Sequence, residues 1–322
     1  MFANIPPLTF SSPPLSGFYQ HGGVSISTFV SWISEICYIS ENCALYPCQP
    51  NNNRDIGGPA LDSSSALEIQ PGRYVIRSPK SAQVCVFLTS DLPRPRTYSV
   101  DFTHSPHDST NFVTRVRNRD KRCCITGHLV AGGDFTGFEA AHIYPLSAAD
   151  IWNEQKFKCF IQDDQTQVDC ELNSIQQGFL CSSTEHRMFD DYAIAVNPDD
   201  NYRIYDFVGR DPNRTPHGKI FYRDVNQPQI YLPLPDLLRD HFRQCILRYI
   251  KGAGEGNDHR KPFDPDLNLG AGRFNLESGD WWSSPEGKKQ LEAELAERLY
   301  RTSEKRLRMS ATEFARYSLL EH

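Results

Sequence analysis

Two stretches, GFEAAHIYPLS at 137–147 and LNSIQQGFLCSSTEHRMFDDYAIAVNPDDNYRIYDF at 172–207, carry the strongest structural signal in the chain. Phe138 to Ile143 reads as a short strand that carries His142 at its end, and Ser174 to Cys181 reads as a second strand returning beside it. A helix start comes next. Ser182 and Glu185 fit the S-x-x-E capping box, in which a serine side chain and a glutamate side chain satisfy each other's backbone N–H groups. His186 therefore falls in the first turn of that helix. Asp190, four residues on, shares its face. Ala193 to Val196 and Tyr202 to Phe207 then form a hairpin around the turn residues Asn197-Pro198-Asp199-Asp200.

Strand, strand and capped helix, with one histidine on the first strand and another on the helix, is the layout that a one-metal phosphodiesterase needs. A neutral imidazole takes a proton from water near neutral pH. A divalent ion stabilises charge on the scissile phosphate and its leaving oxygen. A histidine and a carboxylate one helical turn apart can both point at that ion.

Several segments taken together resemble the fungal HNH endonuclease-like proteins. They are Cys123-Cys124-Ile125-Thr126-Gly127, Ala141-His142-Ile143-Tyr144-Pro145, His186-Arg187-Met188-Phe189-Asp190 and Val196-Asn197-Pro198-Asp199-Asp200-Asn201-Tyr202. The later helix LLRDHFRQ (237–244) and KGAGE (251–255) are similar to the segment after the motif in that family, so the resemblance runs over about 115–255. It implies a ββα-metal core, with His142 as general base and His186 as metal ligand near Asp190. It also implies a divalent cofactor, Mg2+ or Mn2+, and hydrolysis of nucleic-acid phosphodiester bonds. The sequence departs from the family pattern twice. Gln177, before Gly178, stands where the middle asparagine belongs, and is expected to serve as a structural amide brace or a catalytic neighbour. Asn173 is out of register. Ala141 stands where many such enzymes place a second ligand, so Asp190, water or phosphate must complete the metal shell. These departures leave two other readings open. In one, the fold is repurposed for small-molecule chemistry, for example in fungal secondary metabolism. In the other it is a non-catalytic interaction protein.

Outward from this core, Asn111 to Arg122 has a helical pattern. Its cations Arg115, Arg117, Arg119, Lys121 and Arg122 are either a phosphate-contacting edge or a solvated face paired with acidic neighbours. His128 reads as a loop residue. Upstream, residues 1–22 are Pro-, Ser- and Gly-rich and read as a flexible arm. Phe29, Ile33, Ile36 and Cys37 mark a short amphipathic helix. Asn51 to Ser65 reads as a polar loop, and Arg73–Arg77, Gln83–Leu88 and Thr97–Phe102 read as strands. Downstream, Leu238, Phe242, Cys245, Ile246 and Tyr249 form one apolar stripe of a helix over 234–251, ended by Gly252 and Gly254. Ser284-Pro285 opens a final helix to about Arg308, with Trp281 and Trp282 packing before it. The expected class is α+β, with a β-rich region at 23–110, an HNH-like core at 111–210 and a helical region at 211–322.

The formal net charge is −6, which disfavours general polyanion binding and leaves nucleic-acid contact to a local basic patch. The first Lys or Arg is Arg54, so no basic leader precedes the apolar run at 28–39, and Glu35 interrupts that run. An intracellular protein with no membrane segment is expected. The ten cysteines contain no CxxC pair and read as reduced, mostly buried thiols; the adjacent Cys123 and Cys124 read as packing residues.

Overall fold

In the computed structural model, helix α1 (Ile26–Ile36) starts where Ser25 accepts a hydrogen bond from Thr28 N at 3.1 Å, a side-chain N-cap. Ile26, Phe29, Trp32 and Ile36 are its buried stripe. The structure describes residues 16–39, 41–50, 52–94, 96, 106–148, 152, 157–166, 171–208 and 213–251. Two units, Met1–Phe263 and Asp264–His322, divide the chain, and the described residues all lie in the first. The expected strand at 97–102, the glycines at 252 and 254, Trp281, Trp282 and the final helix lie outside the described residues.

Five strands come after α1. β1 (Cys37–Ile39) pairs antiparallel with the last of them, β5 (Val86–Leu88). β2 (Ala44–Gln49) is central, flanked by β3 (Asn52–Ile56) and β4 (Tyr74–Arg77). The reading of 51–65 as a polar loop is corrected by β3. The Asn-Asn-Arg-Asp composition has little strand preference. Pairing with β2 sets the conformation instead, and Gly57 allows the close approach, since a Cβ there would lie 2.7 Å from the Cys48 carbonyl carbon. Residues 16–22, at the end of the expected arm, are held: Gln20 Nε2 donates to Ile69 O at 2.8 Å, and Phe18 packs on Phe29 and Trp32.

Helix α2 (Pro106–Asp120) leads to the paired strands β6 (Phe138–His142) and β7 (Gly178–Ser182). The ladder is antiparallel, with Phe138 opposite Ser182 and His142 opposite Gly178. The second strand is shorter than its sequence suggests. Ser174–Gln177 is a capped 3-10 turn instead, because Ser174 Oγ takes the N–H of Gln176 and the amides of Gln176 and Gln177 are spent on loops. Helix α3 (Ser183–Asp190) begins directly after it. Ser182 is its N-cap by position, but its side chain makes no cap hydrogen bond, so the expected capping box is not formed. β8 (Ile194–Asn197) and β9 (Arg203–Asp206) form the expected hairpin. Helix α4 (Pro235–Cys245) continues as a π-helical segment, Ile246–Lys251.

Alternation along β6 and β7 divides the core. Ala140 and Leu180 join Phe112, Val116 and Ile175 under α2, whereas Ala141, Phe179 and Cys181 join Phe189, Val196, Ile204 and Leu238 on the other side. A third cluster ties α1 to the hairpin and α4: Trp32 sits edge-on to Tyr205 at 5.4 Å and near Phe207 and Phe242. The N-terminal helix therefore shares its core with elements that come after the histidine-bearing strands.

The free edge of β7 is closed by the basic run that ends α2. Arg119 Nη2 donates to Gly178 O at 2.7 Å, Leu180 N donates to Asp120 Oδ2 at 2.8 Å, and Cys124 N donates to Leu180 O at 2.7 Å. Backbone groups that a neighbouring strand would otherwise satisfy are thus paired.

Candidate metal and active site

His142 is the last residue of β6. The pleat puts it on the same side as Ala140, toward α2, where its ring stacks on Phe112 with centroids 4.1 Å apart and planes 14° from parallel. Gly178, opposite in the ladder, makes room for this stack: a Cβ there would come within 2.7 Å of Phe112 Cε2 and 2.9 Å of Ala141 O. His142 is 5% exposed. Burial, with the charge of Arg96 adding to it, brings its pKa down to about 3, although the contact from Asn173 works the other way. The imidazole is therefore neutral at physiological pH.

Asn173, out of register in the sequence pattern, reaches His142 after all: its Oδ1 lies 3.4 Å from His142 Nε2. Gln177 does something different. Its Oε1 accepts from Tyr144 N at 3.0 Å and its Nε2 donates to Tyr144 O at 2.9 Å, while Ile143 N donates to Gln177 O at 2.7 Å. The chain leaving β6 is held by side chain and main chain together.

His186 is the fourth residue of α3. Its Nδ1 lies 2.6 Å from Oε2 of Glu139 on β6, and this hydrogen bond holds the Glu139 carboxyl below its ordinary pKa. In the tautomer that donates Nδ1–H to this carboxylate, the ring's lone pair sits on Nε2. Among the described residues that atom is buried without a hydrogen-bond partner, and it faces Asp190 Oδ2 at 3.4 Å. Asp190 is both the last residue of α3 and 4% exposed, so the helix end and the buried carboxylate coincide.

Two electron-rich atoms facing each other in a dry setting call for a cation or a proton between them. A carboxylate that fixes the tautomer of a ligating histidine is the usual outer partner of a metal site. The pair His186 Nε2 and Asp190 Oδ2 therefore fits a divalent ion. Among the described residues no group of three or more His, Cys, Asp or Glu side chains converges on one point, and Ala141 is fully buried. The protein would supply two ligands, leaving other positions to water and phosphate oxygens.

The five cations near α2 do not share one edge. Arg115 pairs with Asp163 at 2.6 Å. Burial alone would raise the Asp163 carboxyl, yet hydrogen bonds from Arg115, Thr166, Ser174 and Ile175 N bring it to about 2. Arg119 is 8% exposed and donates to Asp120 and to the carbonyls of Ile175, Tyr231 and Gly178. Arg117 lies over Phe135 and Arg122 over Tyr222, at 4.9 and 4.1 Å. Lys121 is exposed, as is His128. The nine described cysteines are thiols outside any disulfide, with Cys123 and Cys124 buried. Among the described residues no helix is long and apolar enough to cross a membrane.

Residues 123–197 match a family model described as HNH endonuclease. The match covers under a quarter of the chain. It includes His142, Gln177, His186 and Asp190 and supports a nuclease-like function at the level of the family. No curated protein and no solved structure matches the chain.

Proposed function

We propose that the protein is a divalent-metal-dependent endonuclease of the ββα-metal type that hydrolyses nucleic-acid phosphodiester bonds. The observation that carries this reading is the buried, unpartnered Nε2 of His186 facing Asp190 Oδ2, with Nδ1 held by Glu139. His186 and Asp190 hold the ion, Mg2+ or Mn2+. When bound, that ion supplies charge stabilisation at the scissile phosphate and its leaving oxygen. His142 stays neutral and accepts the proton of the attacking water. Asn173 and the Phe112 ring fix the imidazole plane, and Gln177 holds the chain that leaves β6. Of the basic run, exposed Lys121 remains to contact phosphate, while Arg117 and Arg122 lie over aromatic rings and Arg115 and Arg119 brace the fold.

A nicking assay on supercoiled plasmid and single-stranded RNA, with Mg2+, Mn2+ or EDTA, tests this reading. Cleavage that needs metal and is lost in His142→Ala and His186→Ala is the expected result. Intact nucleic acid with folded protein in every metal overturns it.

The near-complete burial of His142 favours a second reading, in which the same fold encloses a small organic substrate and uses His142 as a shielded acid–base group. Activity on such a substrate that survives EDTA would select it.

A further inference from the structure

Arg96 reaches the site from outside the matched stretch. Its guanidinium is 1% exposed and makes three contacts at once: Nε to Asp190 Oδ1 at 2.6 Å, Nη1 to Ile143 O at 2.6 Å, and Nη2 to His142 O. Its Cζ lies 5.1 Å from the Phe189 ring centroid. The segment that carries it is anchored on α4 nearby. Arg94 forms a bidentate pair with Asp240 at 2.7 and 3.1 Å, and Arg94 N donates to Gln244 Oε1 at 2.7 Å.

These contacts sort the oxygens of Asp190. Oδ1 is engaged by Arg96, and Oδ2 faces His186 Nε2. A carboxylate free to rotate about its terminal torsion would present either oxygen, because that torsion is broad. The same guanidinium also holds the carbonyls of His142 and Ile143, at the end of the strand that bears the base. One planar fork therefore sets the distance between the base strand and the end of α3. Only arginine has five donors in such a rigid fork.

We propose that Arg96 is a positioning residue of the site: it turns Asp190 Oδ2 toward the metal and locks the His142 strand end against α3, so that the N-terminal segment completes a site whose base and metal ligands lie within 123–197. This rests on the metal reading above. Arg96 is too enclosed to touch substrate, and it acts through Asp190 and the two carbonyls.

Titration of the full-length protein with Mn2+, following free ion by electron paramagnetic resonance, tests the inference without relying on cleavage. Arg96→Ala weakens Mn2+ binding by about 10–100-fold, the usual cost of losing an outer partner of a metal ligand. Arg96→Lys keeps the charge but not the fork; it loses affinity in the same direction and keeps the test usable if the alanine variant does not fold. Arg94→Ala loosens the same segment away from the site and leaves Mn2+ affinity within about two-fold of the parent. Parent-like binding in both Arg96 variants overturns the inference. So does an equal loss in Arg94→Ala, and so does tighter binding in Arg96→Ala, which would make Arg96 a competitor for Asp190. If the parent itself binds no Mn2+, the metal reading fails, and this inference fails with it.

Discussion

Replacing Gln177 by asparagine restores the amide that the family pattern carries, yet here it should weaken the fold. The Gln177 side chain spans both backbone polar groups of Tyr144, at 3.0 and 2.9 Å, and both residues are buried. Asparagine removes one methylene, about 1.5 Å of reach. Both bonds cannot be kept, because the main chain is itself pinned by Ile143 N to Gln177 O. A net hydrogen bond contributes about 0.5–1.5 kcal/mol, and a buried group left without one costs about 1–3 kcal/mol. Losing one bond and straining the other gives about 2–4 kcal/mol for Gln177→Asn. For a unit of this size that is a fall in Tm of about 5–15 °C. Urea unfolding followed by circular dichroism reads the loss as a lower midpoint with an unchanged slope. Gln177→Met, which keeps the length and discards the amide, should lie at the upper end of the range. If Gln177→Asn unfolds within about 0.5 kcal/mol of the parent, the brace contributes nothing that its length explains, and the reasoning is refuted.

The same geometry sets four further outcomes. Arg119→Ala leaves the buried Asp120 carboxylate without its counter-charge and Gly178 O without its donor, and should cost about 3–5 kcal/mol in chemical denaturation; an exposed phosphate-contacting arginine would cost almost nothing. Gly178→Ala drives a methyl into Phe112 and the Ala141 carbonyl, so it should destabilise by about 1–3 kcal/mol and uncover His142, raising its pKa toward the ordinary value in an NMR titration. Glu139→Gln removes the carboxylate that holds His186 Nδ1–H and should weaken Mn2+ binding by about 10–100-fold while leaving the circular dichroism spectrum unchanged. Burial depresses both His142, to about 3, and His241. The unfolded chain therefore binds protons that the native state refuses once the pH falls below about 6.5, so the contribution of these two histidines is constant above that pH and is lost beneath it. Each histidine contributes a slope of about 1.4 kcal/mol per pH unit, which for His142 continues down to about pH 3. Unfolding at pH 7.5 and 5.0 should show the loss, and His241→Phe should reduce its slope by one proton's worth.

The sequence was legible wherever a local rule decides. The hairpin around 197–203, the apolar stripe of α4 and the strand ending at His142 each arise from periodicity and turn chemistry, and the structure places them as read. Readings failed where a tertiary partner outranks a local signal. Ser182 and Glu185 spell a capping box, but the Ser182 side chain makes no cap bond. The main chain there instead continues the β6 ladder, with Ser182 opposite Phe138 and Ser183 N donating to Gly137 O. The basic run 115–122 reads as a phosphate edge or as a face paired with acidic neighbours; Arg115 does pair with Asp163, whereas Arg119 turns inward to close the β7 edge, which no pattern along the chain announces. Arg96 was invisible for the same reason. It comes directly after Pro95, far in sequence from Asp190, and only the folded chain brings its fork to three acceptors at once.

Asn173 and Gln177 make the same point about chemistry. In the family that the sequence resembles, a single asparagine is expected to brace the loop and orient the base. Here the longer Gln177 takes the loop, and Asn173, four residues earlier in the preceding turn, takes the imidazole. Taken position by position, the Gln177 departure looks like a damaged site. Taken by what each amide touches, the loop and the imidazole are contacted by two different side chains, one with a rigid pair of contacts and one with a single longer contact. The difference is measurable. Asn173→Ala should lower cleavage while leaving the unfolding midpoint within about 1 kcal/mol of the parent, because Asn173 is half-buried and its side chain reaches the ring through one long contact. Gln177→Met should lower the midpoint first. If the two variants lose stability and activity in the same proportion, the tasks are not divided, and the site depends on one amide network rather than two.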